Sequence, residues 1–209
     1  QIQGFFRAPV DNLYSVKLVQ SYLNEHFGLA DPIIRANYVL VSPDAGATKR
    51  TLKFATIMGM KTCMMHKERD YSKPGTVAKS MLLCDDVDSL TGKTAIITDD
   101  IIDSGGTFVA AAKTLVANGF RNVIGVITHG YFTADAIDKI IQCTEITDMI
   151  VTNSICQEYN QTQWTKKTAG WLASFGVSSS AKFHVIDVSH QLGEAIRRIH
   201  EGGSLSDLF

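Results

Sequence analysis

The feature that most constrains the fold of this chain is a regular alternation of short apolar runs with longer amphipathic segments. Runs of strand length lie at 38–42, 62–65, 94–98, 123–128, 149–152 and 183–186, and segments of helical periodicity lie at 11–27, 47–60, 107–118, 134–141 and 189–200. Strands that alternate with helices across short links form a parallel sheet with helices on both faces. The sequence therefore predicts a fold of the α/β class.

Two polar segments interrupt this alternation. Residues 70–75 are rich in turn-forming residues, and residues 157–180 carry Trp164, Trp171 and a run of three serines. Clusters of Gly, Pro, Ser and Asp between periodic segments are typical of loops. We expect both segments to be loops, the second with a short helix around Trp171.

Charge and composition restrict the class of partner. The 209 residues carry a formal net charge of -1, so no electrostatic attraction to nucleic acid or to an anionic membrane is expected. No run approaches the roughly 18 consecutive apolar residues of a membrane span, and no signal-peptide pattern is present at residue 1. The expected partner is a small molecule or another protein.

The cysteines bear on the compartment. Cys63, Cys84, Cys143 and Cys156 are scattered and form no Cys-x-x-Cys pair. This spacing is typical of buried free thiols rather than of a disulfide framework. We therefore expect four free thiols and a cytoplasmic location.

The stretch DDIIDSGGT at 99–107 directly follows a buried strand and precedes a helix. Helix-start amides have no partner within the helix, and adjacent glycines let an anion approach them, so this stretch predicts a phosphate cradle. Ser104 and Thr107 add hydroxyl donors. Three carboxylates would repel a phosphate, so Asp99, Asp100 and Asp103 are expected to hold sugar hydroxyls or a divalent cation.

A plainer interpretation of this stretch is a tight glycine turn with a solvated acidic cap. Other nucleotide-binding motifs do not fit. The segment TGKT at 91–94 resembles the end of a P-loop, but Val87 occupies the position of the required earlier glycine, and the chain contains no Gly-x-Gly-x-x-Gly.

A second strand-to-helix link, VSPDAGATKR at 41–50, offers similar chemistry. The Asp44 carboxylate can ligate a divalent metal, the amides of residues 45–48 can receive a pyrophosphate, and Lys49 or Arg50 can neutralise it. An ordinary capped helix with basic surface residues is the alternative.

A third segment, HKER at 66–69, places Lys67 and Arg69 just past a predicted strand, on what we expect to be a mobile loop. Paired cations on such a loop suit a reaction that develops charge on transferred phosphoryl oxygens. Short charged runs are more often solvated surface residues. A functional role for this segment is therefore supported only in combination with the other two segments.

Several motifs occur together and in order along the chain. They are QIQGFF at 1–6, PVDNLY at 9–14, VSPDAGATKR, HKER, TDDIIDSGGT, THGYF at 128–132, VTNS at 151–154 and EAIRRIHEGGSLSDLF at 194–209. Together they resemble the C-terminal portion of the ribose-phosphate pyrophosphokinases, the phosphoribosyl pyrophosphate synthetases.

The resemblance implies a phosphoribosyltransferase-type (type I) fold and an Mg²⁺-dependent transfer of the diphosphoryl group of ATP to the C1 hydroxyl of ribose 5-phosphate. It also implies a homo-oligomer, a hexamer in most classes. The implied catalytic residues are Lys67 and Arg69. The implied ribose 5-phosphate contacts are Asp99, Asp100, Asp103, Ser104, Gly105, Gly106 and Thr107. The implied pyrophosphate loop is Asp44, Ala45, Gly46, Ala47 and Thr48, with Asp44 as the metal ligand.

The chain departs from the family pattern at four places. Ala47 replaces a glycine, so its methyl group either narrows the approach or fixes the turn. Ser104 stands where threonine is common, residues 70–74 replace the usual Ala-Asn after Arg69, and residues 157–182 are longer than in typical members.

The chain begins at Gln1 rather than at a methionine, and we expect it to be a fragment lacking an N-terminal half. By resemblance, residues 1–30 form a leading segment and helix that packs with an absent N-terminal domain, and residues 31–209 form the C-terminal domain. Two alternatives remain: a noncatalytic synthetase-associated regulatory subunit, which usually loses the phosphate loop, and a phosphoribosyltransferase, which lacks HKER and VSPDAG.

Overall fold

A computed structural model describes residues 2–69, 77–84, 90–175 and 181–208, with the backbone alone described at 67–69, 77–81 and 175. The strands are β1 Tyr38–Ser42, β2 Lys61–Arg69, β3 Val77–Leu83, β4 Thr94–Ile102, β5 Asn122–Gly130, β6 Ile146–Thr152 and β7 Lys182–Ile186. The helices are α1 Val16–Phe27, α2 Pro32–Arg35, α3 Thr48–Met58, α4 Gly106–Ala117, α5 Ala136–Ile141, α6 Glu158–Phe175 and α7 Ser189–Glu201, with 3₁₀ turns at Ile2–Phe5 and Ser206–Leu208.

The strands form one sheet in the order β3-β2-β1-β4-β5-β6-β7. Every neighbouring pair is parallel except β2 and β3, which are antiparallel. The chain therefore reverses its direction of progress after β3, and β1 and β4 become neighbours at the centre of the sheet. The carboxyl ends of β1 and β4 are consequently adjacent, which is where ligands bind in open α/β sheets.

Alternate residues of the central strands enter two separate cores. Val39 and Val41 join one apolar cluster with α4, α5 and α6, while Leu40 joins another with α1 and α3. This alternation follows from the two-residue period of a strand. Because helices cover both faces, the predicted α/β class is confirmed.

At 157–180 a loop with a short helix around Trp171 was predicted; Trp171 does lie in a helix, but the loop prediction is wrong for most of the described part. Residues Glu158–Phe175 form the 18-residue helix α6. Trp164 is buried, donates its indole N–H to the carbonyl of Ala181 at 3.2 Å, and stacks on Phe183 with ring centroids 4.8 Å apart. The buried Asn160, which donates to the carbonyl of Gly130 at 3.5 Å, and the Lys167–Asp138 ion pair add further contacts along this mostly polar helix. Residues 176–180 lie outside the described part.

The strand predicted at 62–65 is too short, and the mobile loop predicted for HKER is wrong. β2 runs on through Arg69 and pairs with β3, a strand the sequence patterns did not predict. The loop predicted at 70–75 lies outside the described residues.

The expectation of four free thiols is wrong for one pair. Cys63 in β2 and Cys84 just after β3 form a disulfide with Cα atoms 4.8 Å apart. Cys143 and Cys156 are free, the first buried and the second exposed. Among the described helices, none combines the length and apolar character required to cross a bilayer.

Candidate active site

The acidic stretch begins inside a strand rather than after it. β4 pairs with β1 only as far as Ile97 opposite Val41, but continues to Ile102 beside β5. Asp99 and Asp100 therefore lie on a strand segment that extends beyond β1. Their carboxylates border open space at the carboxyl edge of the sheet, where a polar ligand can reach them.

The glycine pair sits at the start of α4. Gly105 is the N-terminal cap residue in the left-handed conformation at φ 70°, which glycine adopts without the strain that other residues incur. No side chain caps this helix, and a Cβ added at Gly106 would meet nothing within 4 Å. The first amides of α4 therefore have no side-chain partner at the helix start, as an anion cradle requires.

The loop after β5 holds Asp103 in place. Thr133 donates its hydroxyl to the Asp103 carboxylate at 2.5 Å and its backbone N–H to the Asp103 carbonyl at 3.2 Å. Its neighbours Phe132 and Ala134 both have φ of 52°, in the left-handed region that non-glycine residues rarely adopt. Such backbone persists only where surrounding contacts impose it, and the aromatic contacts of Phe132 with Trp164 and Phe183 supply them.

The pKa values of Asp99 and Asp100 are shifted in opposite directions. Burial, followed by the adjacent Asp100 carboxyl, raises the pKa of Asp99 to about 6. Burial acts in the same direction on Asp100 and is the largest single effect there, but the hydrogen bonds with Arg50 and Asp99 and the charge of Arg50 together outweigh it and lower the pKa of that carboxyl. Arg50 lies 2.9 Å from the Asp100 carboxylate and 3.8 Å from that of Asp99. One carboxyl of the pair is thus held ionised while the other titrates near neutrality.

Two cavities meet at Asp99. The glycine-loop cavity, about 260 Å³, is lined by Pro43, Ile97, Asp99, Ile101, Ile102, Asp103, Ser104, Gly105, Thr107, Phe108, Ala111 and Ile127. The arginine cavity, about 440 Å³, lies towards α1 and α3, and its lining includes Arg50, Asp99, Asp100 and His129. The glycine-loop cavity therefore brings together most of the predicted ribose 5-phosphate residues, whereas Asp100 faces the other space.

The loop between β1 and α3 is closed on itself. Asp44 accepts a hydrogen bond from the backbone N–H of Ala47 at 2.9 Å, and its carbonyl accepts hydroxyl bonds from Ser42 at 2.6 Å and Thr48 at 3.2 Å. Ala47 is buried, so its methyl group packs inward rather than into the approach to the loop. Ala45 and Gly46 are exposed at the tip of the turn.

The donor atoms allow only a sparse metal site. The described residues contain no group of three or more His, Cys, Asp or Glu side chains able to hold a metal. Asp44 is exposed, and one of its carboxylate oxygens is engaged by the Ala47 amide. Mg²⁺ usually takes one or two carboxylates and completes its shell with water and substrate phosphates, so a single carboxylate here fits that ion only in company with a phosphorylated ligand.

The predicted catalytic residues Lys67 and Arg69 lie in β2, where their backbones pair with Ser80 and Val77 of β3 respectively. Their side chains lie outside the described part of the structure.

Sequence reasoning missed three contributors to this region. Thr133 positions Asp103, Lys139 donates to the Ser104 carbonyl at 3.4 Å, and His129 bonds the Ser154 hydroxyl through Nδ1 at 2.8 Å at the ends of β5 and β6. The motifs THGYF and VTNS contain or adjoin two of these residues, but no spacing rule links them to the acidic stretch. Only the sheet order brings them together.

Comparison with known proteins gives a consistent result. The family model described as "Phosphoribosyl synthetase-associated domain" matches residues 69–209. Ribose-phosphate pyrophosphokinase 2 of Schizosaccharomyces pombe is 38% identical over 209 residues, covering 100% of this chain and 57% of the relative. The ribose-phosphate pyrophosphokinase of Aquifex aeolicus is 37% identical, with coverages of 100% and 57%.

A solved structure agrees with the sequence relatives. The phosphoribosylpyrophosphate synthetase of Mycobacterium smegmatis superposes with a TM-score of 0.73 at 29% identity, covering 97% of this chain and 56% of that one. The chain spans about half the length of the curated relatives it matches. The predicted phosphoribosyltransferase-type fold is confirmed by this likeness together with the sheet order.

Proposed function

Because the chain belongs to the phosphoribosyl synthetase-associated domain family, we propose that it is the ribose 5-phosphate side of a ribose-phosphate diphosphokinase. The complete enzyme transfers the diphosphoryl group of ATP to the C1 hydroxyl of ribose 5-phosphate, which gives phosphoribosyl pyrophosphate and AMP for nucleotide biosynthesis. The bond between the C1 oxygen and the β-phosphorus forms as the bond from that phosphorus to the α,β-bridging oxygen breaks.

The glycine-loop cavity is the observation that carries this proposal. It combines an uncapped helix start, the hydroxyls of Ser104 and Thr107, and carboxylates at Asp99 and Asp103. Amides and hydroxyls bind the 5-phosphate, and the carboxylates accept hydrogen bonds from sugar hydroxyls. Both ends of a phosphorylated pentose therefore find matching groups in one space.

Asp100 enters this scheme through Arg50. Arg50 pairs with the Asp100 carboxylate beside the arginine cavity. A sugar hydroxyl that bonds Asp100 competes with this ion pair, which is half exposed and therefore weak. Arg50 thus keeps Asp100 ionised and ready to accept a hydroxyl.

The donor side rests on the loop of Asp44, Ala45, Gly46, Ala47 and Thr48 and on the cations Lys67 and Arg69. The exposed turn amides at 45 and 46 receive diphosphate oxygens. Lys67 and Arg69 neutralise the charge that spreads over the transferred group. Asp44 would hold Mg²⁺ together with a phosphorylated substrate, and that ion would supply further neutralisation of this charge.

Other properties implied by the family belong to the same proposal. The enzyme is a homo-oligomer, a hexamer by resemblance, and acts in the cytoplasm. Residues 1–30 pack with a further domain, which is supported by exposed aromatic side chains at Phe5 and Phe6.

A noncatalytic regulatory subunit is the second candidate, favoured by the description of the matching family. The glycine-loop cavity argues against it, because a subunit without turnover has no need of a complete phosphate cradle. A phosphoribosyltransferase is less supported, since HKER and VSPDAG belong to the synthetase pattern.

Titration calorimetry with ribose 5-phosphate tests the binding side directly on this chain. We expect binding that weakens about tenfold or more in Thr107→Val, because a hydrogen bond to a charged phosphate is lost. Thr114→Val, farther along α4, is the matched control, and ribose without phosphate should bind far more weakly than ribose 5-phosphate. Equal affinity for the two sugars would contradict the cradle.

Turnover is tested with a full-length protein that carries this chain. ATP, Mg²⁺ and ribose 5-phosphate should yield AMP. Sugar binding without AMP would favour the regulatory subunit, and pyrophosphate release from phosphoribosyl pyrophosphate plus a nucleobase would favour the phosphoribosyltransferase.

A further inference from the structure

β2 and β3 form a two-stranded arm that leaves the sheet. β1 pairs with β2 only up to Ser42 opposite Met64. Beyond that point, and among the residues that the structure describes, residues 65–69 of β2 pair only with residues 77–82 of β3, from Met65 opposite Leu82 to Arg69 opposite Val77. A two-stranded ribbon without a third strand is marginally stable in water. The arm therefore depends on whatever fixes its base.

The Cys63–Cys84 disulfide lies at that base. Cys63 faces Val41 of β1, so it belongs to the last supported part of β2. Met64 pairs with Leu83, which makes Cys63 and Cys84 the next facing positions, with Cα atoms 4.8 Å apart. This separation lies within the range that both antiparallel facing residues and disulfides adopt. The cross-link thus joins the two strands where they leave the sheet.

The cross-link is accessible to small reagents. Cys63 is itself buried and Cys84 half-buried, but both line a cavity of about 430 Å³ that also borders Ser42, Thr48 and Met64. Thiol–disulfide exchange needs a thiolate to reach one of the two sulfur atoms. This cavity provides the approach.

The base of the arm is also connected to the loop between β1 and α3. Thr48 donates its hydroxyl to the sulfur of Met64 at 3.0 Å, and Met64 is the residue between Cys63 and the arm. A change in the pairing of β2 at this point is therefore transmitted to residue 48 as well as to the arm.

We propose that Cys63 and Cys84 are a reversible dithiol–disulfide pair that clamps the base of the two-stranded arm. In the oxidising direction the two thiols lose two electrons and two protons and form one S–S bond, while a small disulfide such as glutathione disulfide is cleaved to two thiols. The reverse exchange reopens the clamp. The disulfide restricts the unpaired arm more than the paired one, so its formation favours the paired state.

The first experiment asks whether the pair forms reversibly. The protein with Cys156→Ser, which removes the exposed thiol, is equilibrated in reduced and oxidised glutathione mixtures and then alkylated with N-ethylmaleimide. We expect two fewer adducts in the oxidised protein, lost together from Cys63 and Cys84 and restored by reduction. Two adducts at these positions under all oxidising mixtures would overturn the proposal, as would a disulfide that reduced glutathione never opens.

The second experiment asks whether the pair acts as a clamp. Hydrogen exchange of the amides in 65–69 and 77–82 should be slower by about tenfold or more in the oxidised form. Exchange in β4 and β5 should be the same in both forms and serves as the folding control. Cys84→Ala should show the fast exchange in both buffers, and equal arm exchange in oxidised and reduced wild type would overturn the clamp.

The functional consequence rests on the proposed function, because the arm carries the backbone of Lys67 and Arg69. A loosened arm presents these cations less favourably, so reduction should lower the rate of AMP formation in the full-length protein and leave ribose 5-phosphate affinity unchanged. Equal rates in the two forms would overturn this consequence. Absence of AMP in both forms would count against the proposed function instead, because the exchange experiment does not depend on turnover.

Discussion

Thr133 and Asp103, 30 residues apart in the chain, are joined by a hydroxyl-to-carboxylate hydrogen bond of 2.5 Å. The bond connects the loop after β5 to the loop before α4. Neither loop is fixed by regular secondary structure at this point, so the contact sets the position of the Asp103 carboxylate relative to the start of α4.

Replacing Thr133 by valine keeps the branched side chain and removes the hydroxyl. We expect ribose 5-phosphate to bind about tenfold more weakly, because the Asp103 carboxylate loses a charge-assisted hydrogen bond of roughly 1.5–3 kcal/mol and its loop loosens. Titration calorimetry measures the change. Thr165→Val on α6, remote from the cavity, is the control and should bind as the parent does; a normal affinity in Thr133→Val would show that the loop holds its shape without this bond.

The raised pKa of Asp99 predicts a dependence of stability on pH. Burial raises that pKa to about 6, so the folded state binds a proton that the unfolded state releases near its ordinary value. Protonation of Asp99 therefore adds to the free energy of unfolding. This stabilisation is fully present below the pKa of the unfolded state and is lost as pH rises through about 6. Asp99→Asn should therefore be more stable than the parent at pH 8 by roughly 1 kcal/mol, after allowance for partial exposure.

Urea unfolding at pH 4 and pH 8 measures this difference. The advantage of Asp99→Asn should shrink towards zero at the lower pH, where the parent carboxyl is protonated. A gap of the same size at both pH values would mean that the substitution acts through packing rather than through ionisation.

Arg50 makes a complementary prediction. Arg50→Met leaves two adjacent carboxyls without their cation, so stability at pH 8 should fall by roughly 0.5–1 kcal/mol, the modest size reflecting an exposed pair. The loss should be smaller when Asp99 is already asparagine, because one source of repulsion is gone. A double-mutant cycle in urea detects this coupling, and Lys166→Gln on the exposed side of α6 provides a charge-matched control.

The arm cation Lys67 tests the donor side. In the full-length protein, Lys67→Ala should lower the rate of AMP formation by orders of magnitude and leave the unfolding temperature nearly unchanged, since it acts on bound charge rather than on the core. Asp103→Asn should have a similar effect on turnover. Either variant with parental turnover would remove that residue from the reaction.

The central strands of the parallel part of the sheet could be predicted from the sequence because their first residues are buried on both faces. β1 was predicted with its observed bounds because a continuous apolar run marks it, and the half-buried edge strand β7 was predicted within one residue. β3 and the far part of β2 were missed because they pair with each other beyond the end of β1, and their sequences MHKER and VAKSM show no sustained apolar run. The length of α6 was missed because the helix is mostly polar: its contacts are those of Trp164, of the buried Asn160 and of the Lys167–Asp138 ion pair, which give no apolar periodicity.

The site was predicted in its parts rather than in its arrangement. The glycine pair and the carboxylates follow from strand, turn and helix within one link, so their chemistry is local. Pairing of Arg50 with Asp100, and of Thr133 with Asp103, depends on which strands are neighbours. A motif confined to one strand-to-helix loop does not show which strands are neighbours. For this reason the sequence predicted only that Arg50 neutralises a pyrophosphate, and not that it pairs with Asp100.

Asp99 borders both the glycine-loop cavity and the arginine cavity. A ligand in either cavity displaces water from the same carboxyl and so shifts the pKa of Asp99. Two ligands that do not contact each other would then change each other's binding affinity through Asp99. The end of β4 consequently separates the two cavities by a single residue, and ligand binding in one cavity should be coupled to ligand binding in the other.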